Sequence, residues 1–188
     1  YVTSASADIG VNVGVTGSAG IFAASATETH TSAGGTNQNG SEHGSAGWGS
    51  IMLEATVNDR LMIGIDYVPQ SLETDTTESA RTDKTSVGDD TGSIVTNKVQ
   101  IDLEDLTTIY VGAMLTENFF VKAGAMTVDV ITNENLGTGG SYGNTELDGT
   151  MFGLGYHVAN DNGAFFRFEG NYLQFDSQTL TNSNTSET

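Results

Sequence analysis

The stretch VNDRLMIGIDY, Val57 to Tyr67, decides how the rest of the chain is read. A polar break at Asn58, Asp59 and Arg60 is followed by strict alternation: Leu61, Ile63, Ile65 and Tyr67 on one side, Met62, Gly64 and Asp66 on the other. Period-2 alternation of this kind marks a strand with one apolar face. The same period recurs in segments at about 7 to 24, 47 to 57, 60 to 72, 98 to 115, 119 to 132, 146 to 158 and 164 to 177, with ends uncertain by about 2 to 4 residues. Helical periodicity is almost absent.

What the apolar faces pack against is the harder question. The chain has 188 residues, enough for one domain. Its hydrophobic fraction is 37%, below the roughly 45 to 50% usual in globular proteins. A soluble β-sandwich, whose apolar faces would meet each other, would have a thin core. With no Cys there is neither a disulfide framework nor a thiolate metal site. Six Lys and Arg against 24 Asp and Glu give a formal charge of −18, which sets nucleic acid aside as a partner. No run reaches the ~20 apolar residues of a membrane helix. The chain begins at Tyr1 without a charged-then-apolar leader, and is read as a mature chain from which any leader is gone.

The connections supply the missing information. Three are short and rich in turn formers: Asn58-Asp59-Arg60, Thr116-Glu117-Asn118 and Ala159-Asn160-Asp161-Asn162-Gly163. Three are long and polar: ETHTSAGGTNQNGSEHGSAG, LETDTTESARTDKTSVGDDTGS and NENLGTGGSYGN. Long and short alternate along the chain. An up-and-down barrel crossing a membrane has a physical reason for this, since tight turns fall on one side and extended loops on the other. A sandwich accounts for the strands but gives no reason for that alternation.

Side-chain chemistry points the same way. The apolar faces collect Ile9, Val11, Val13 and Val15; Ile51, Leu53 and Val57; Ile109 and Val111; Phe119 and Val121; Phe152, Leu154 and Tyr156; and Phe166, Phe168 and Tyr172, none of them charged. Choosing each register by hydrophobicity builds in part of that separation. It does not require that Glu54, Asp66, Lys122, Arg167 and Glu169 all fall on the opposite face, as they do. In a barrel the apolar set meets lipid and needs no protein behind it. Tyr67, Phe119, Tyr156, Phe166 and Tyr172 fall toward strand ends, where aromatic girdles belong. The five charges are expected to pair across the lumen and fill it, with inward Gly10, Gly14, Gly64, Gly112, Gly124, Gly153 and Gly155 leaving room.

The hairpins IMLEATVNDRLMIGIDY, IYVGAMLTENFFVKAGAM and MFGLGYHVANDNGAFFRFEGNYLQF, with the loop LGTGGSYGNTELDG, resemble the small bacterial outer-membrane β-barrels of the porin-opacity and OmpA-like type. The resemblance runs through nearly the whole chain and rests on pattern and turn placement. It implies a single all-β domain over residues 1–188, an antiparallel up-and-down transmembrane barrel of eight strands in a Gram-negative outer membrane. Seven strands are expected in this sequence, because DSQTLTNSNTSET reads as an outer loop with no returning strand. The eighth would lie in a longer natural chain or be donated by a partner.

Function is read from loops and lumen. The expectation is a structural or surface-interaction barrel whose polar acidic loops face the cell exterior, touching lipopolysaccharide or a cell-surface, host or phage ligand. A narrow channel for small polar or cationic solutes is the alternative, and a strand-donating surface assembly subunit a more distant one. An enzyme is not expected: His30 and His43 lie in the first long loop, and His157 lies near a short turn, away from the outer rim. No cofactor is expected. The weak metal-ligand candidates are Asp75, Glu78, Asp83, Asp89 and Asp90 in the second long loop, with His30, Glu42 and His43 in the first. None has the spacing of a known loop site. GTGGSYGN has no helix after it to make a phosphate cradle, and the sequons at Asn39 and Asn184 carry little weight in a bacterial setting.

Overall fold

The computed structural model describes residues 8–29, 38–83, 93–137 and 140–183. All regular structure among them is β: β1 (Ile9–Glu28), β2 (Gln38–Val57), β3 (Leu61–Tyr67), β4 (Leu72–Glu73), β5 (Thr77–Asp83), β6 (Ser93–Met114), β7 (Phe119–Asn135), β8 (Thr145–Ala159) and β9 (Phe165–Phe175). They form one antiparallel up-and-down sheet in the order β1-β2-β3-β6-β7-β8-β9, with β4 and β5 paired to β6 off that path. The nine strands therefore comprise the seven expected ones and two short ones, inside what the sequence reads as a loop. Along the main path the direction reverses at every step, so β1, β3, β7 and β9 run one way and β2, β6 and β8 the other.

The short connections all fall at one end of this sheet. Asn58 and Asp59 have φ of 52° and 51°, the left-handed pair that a type I′ hairpin demands, and Arg60 N–H donates to Val57 O at 3.1 Å to close the turn. The opposite end is longer than expected. β1 and β2 stay paired without a register break from Ile9↔Val57 to Glu28↔Gln38. Residues 38–46, assigned to a loop on sequence, are thus strand, and Glu42 and His43 sit on it. Ser, Ala and Gly there give no apolar period, but their backbones still form the ladder. Strands of 20 and 22 residues exceed the ~9 to 11 that span a bilayer when tilted.

One irregularity breaks β6. The register shifts between Glu104 and Thr107, and Asp105 there has φ of 53°, the signature of a bulge. The bulge reverses which parity faces inward: Leu103 before it and Leu106 after it both reach the inner side. Leu106, Val68, Tyr110, Met126, Val128 and Met151 form the buried core, with Trp48, Leu103, Leu147 and Leu173 packed on it. The inner surface is therefore apolar toward its long-loop end, where the sequence leads one to expect a lumen filled by polar and charged side chains.

Candidate functional site: the inner charge network

The expected faces are those observed. Leu61, Ile63, Ile65 and Tyr67 are exposed, while Met62 and Gly64 between them are buried. All five expected charges lie on the inner side. Glu54 on β2 is fully buried and accepts from Arg167 on β9 through Nη1 at 2.8 Å and Nη2 at 2.6 Å. The fork of the guanidinium matches the two carboxylate oxygens, the strongest geometry such a pair can take. Asn12 Nδ2 at 3.1 Å and Tyr110 Oη at 3.0 Å donate to the remaining lone pairs.

That contact fixes the curvature. β2 and β9 are five places apart in the sheet order, which in a flat sheet would separate them by about 24 Å. The ion pair shows instead that the sheet is rolled, with its inner face enclosing the charges. A Cβ placed on Gly14 of β1 would stand 3.3 Å from the Phe165 ring of β9, so the two edges also approach each other. No ladder joins β1 to β9 among the described residues.

Lys122 on β7 forms an ion pair with Glu169 on β9, and Arg167 Nη1 lies 3.9 Å from the same carboxylate. Aromatic rings complete the packing: Lys122 Nζ is 4.8 Å from the Tyr110 ring centroid and Arg167 is 5.1 Å from that of Phe120, within cation–π range. Arg167 Nε also donates to His157 Nδ1 at 3.3 Å. Asp66 forms no ion pair among the described residues and accepts from Ser50 Oγ at 3.0 Å. No buried side-chain polar atom among the described residues lacks a partner.

Glycine makes two of these approaches possible. A Cβ on Gly64 would lie 2.5 Å from the Tyr110 ring, and one on Gly153 would meet both Asn171 and Lys122. Asn12, Tyr110 and Phe120 all alternate onto the same face as Glu54 in the sequence, but nothing in the pattern marks them as its partners.

Of the metal candidates, Asp75, Glu78, Asp83, Glu42 and His43 are among the described residues. Glu78 pairs with Lys98 at 2.6 Å in an exposed ion pair between β5 and β6, and Asp75 is exposed in the link before β5. Asp83 ends β5, while Asp89, Asp90 and His30 lie outside the described residues. Glu42 and His43 stand on β2 as neighbours in sequence and so point to opposite faces. No group of three or more His, Asp or Glu suited to a metal occurs among the described residues.

No family model, no curated protein and no solved structure matches this chain.

Proposed function

We propose that this chain is the wall of an outer-membrane β-barrel with a structural or surface-interaction role, its short turns toward the periplasm and its long acidic loops outside. The observation that carries the reading is the inversion of the usual burial pattern. Ile63 is 55% exposed, Leu53 50%, Val111 59%, Phe152 60% and Phe168 73%, whereas Glu54 is fully buried. A monomer in water rarely exposes a contiguous apolar surface of this extent. In hydrocarbon such a surface needs no cover.

The lumen supports a role without conduction. Two ion pairs, the Tyr110 and Phe120 rings and the apolar cluster around Met126 occupy the inner side, as expected for a barrel of about eight strands. What remains for interaction is the outer end, where β1, β2 and β6 project. Among the charged residues there aspartate and glutamate outnumber lysine and arginine, so cation-bridged contact with lipopolysaccharide phosphates fits its charge. Planar-bilayer recording on the reconstituted protein tests this: no reproducible unitary conductance is expected. Stable steps altered by Lys122→Ala or Arg167→Ala would favour a solute channel instead.

A further inference from the structure

The outer face of the sheet is not smooth. On it β6 carries Ala113 and β7 carries Ala123, in register with Leu61 of β3 and Phe152 of β8 respectively. Two small side chains between large ones leave a groove of about 650 Å³, bounded by Leu61, Ile63 and Phe152 and reaching Val57 at the short-turn end. Its volume lies within the range of small-molecule sites. Beyond the Phe152 ring, where Gly170 on β9 stands opposite Leu154, lies a second groove of about 590 Å³.

The two grooves differ in the charges at their short-turn ends. Met114 N donates to Arg60 O at 2.8 Å, so the turn Asn58-Asp59-Arg60 stands beside the turn Thr116-Glu117-Asn118, and both close the end of the first groove. Asp59, Arg60 and Glu117 are exposed, and none pairs with another charge among the described residues. An apolar channel thus ends at one free cation flanked by two free carboxylates. That order complements a dipolar group: a phosphate can take the guanidinium fork of Arg60 while an ammonium meets Glu117. A ligand with a second negative charge would meet Asp59 and Glu117 instead. The turn beside the second groove, Asn160-Asp161-Asn162-Gly163, has no Lys or Arg.

We infer that the Ala113–Ala123 groove is a lipid site, holding an acyl chain of a zwitterionic aminophospholipid with its phosphate on Arg60 and its ammonium on Glu117. The inference rests on the membrane-wall reading, which sets the groove against lipid, and adds to it one retained molecule at the short-turn end.

The test uses the 188-residue chain in detergent micelles, with phosphatidylethanolamine or phosphatidylglycerol of identical acyl chains added, and counts bound lipid by native mass spectrometry. One phosphatidylethanolamine is expected to be retained at a concentration at least tenfold below that needed for phosphatidylglycerol. Arg60→Gln should weaken phosphatidylethanolamine binding at least tenfold, and Glu117→Gln should abolish the preference between the two lipids. Ala123→Phe fills the groove from the outer face and should remove the bound molecule. Gly170→Leu fills the second groove, where the Cβ position is open, and should leave binding unchanged. Should Ala123→Phe alter the far-ultraviolet circular dichroism spectrum, the two turn variants carry the test with the wall intact. Equal retention of both lipids, or retention indifferent to Arg60→Gln, overturns the site. If that happens while Ile63 and Phe152 contact lipid, the groove alone fails; if those residues contact water in liposomes, the membrane reading fails too.

Discussion

Replacing Arg167 by Met leaves the Glu54 carboxylate fully buried with two of its four hydrogen bonds, those from Asn12 and Tyr110. Among the described residues no other cation pairs with it. Breaking a buried pair on one side costs about 3 to 5 kcal/mol, because the remaining charge keeps its desolvation penalty without its counter-charge. Glu54→Gln should cost less, about 1.5 to 3 kcal/mol, since Arg167 retains Glu169 at 3.9 Å. The double variant removes the orphaned charge and should cost less than the sum of the two, with a coupling of about 1 to 3 kcal/mol. Trp48 is the only tryptophan and packs against the inner apolar cluster, so its fluorescence during urea unfolding in lipid reports the transition. An Arg167→Met loss below about 1 kcal/mol, or strictly additive single variants, would refute the claim that this pair holds the rolled sheet together.

Other outcomes follow from particular positions. Ile63→Arg places a cation on the outer apolar band and should cost about 2 to 4 kcal/mol in a bilayer, while Ser45→Arg, on the exposed outer part of β2, should stay within about 0.5 kcal/mol; urea titration in liposomes compares them. Glu104, Asp129 and Glu146 stand directly opposite one another across three strands, so Asp129→Asn should stabilise by about 0.5 to 1 kcal/mol at low salt. That gain should shrink in 1 M NaCl, where the screening length is about 3 Å. Gly64→Ala drives a methyl into the Tyr110 ring and should cost about 1 to 3 kcal/mol in the same assay, whereas Gly170→Ala, with open space around its Cβ position, should be nearly neutral.

The sequence made the faces of the sheet legible because a strand's side chains alternate with an unambiguous period. Leu61-Met62-Ile63-Gly64 can be sorted without knowing any partner, and Asn58-Asp59 names its own turn. Which charges meet was not legible. The Glu54–Arg167 contact joins strands five places apart, and only the roll of the whole sheet brings them together. The outer end of the β1–β2 hairpin is hidden for a different reason: SATE on β1 and QNGSEHGSA on β2 are held by backbone ladders, and their small and polar side chains leave no period to read. β4 and β5 were missed likewise, since ETDTTESARTD carries little apolar pattern. The inner apolar cluster depended on the Asp105 bulge, which reverses the phase of β6 so that Leu103 and Leu106 both face inward.

The most direct test of the central claim uses the absence of native cysteine. Single cysteines at Ile63, Val111 and Phe152, and a reference at Asn162 in a short turn, are spin-labelled after reconstitution into liposomes, and paramagnetic accessibility is measured by electron spin resonance. The account predicts high accessibility to oxygen and low accessibility to a water-soluble nickel chelate at the three wall sites, with the reverse at Asn162. Chelate accessibility at Ile63, Val111 and Phe152 equal to that at Asn162 would place the apolar wall in water and contradict the account.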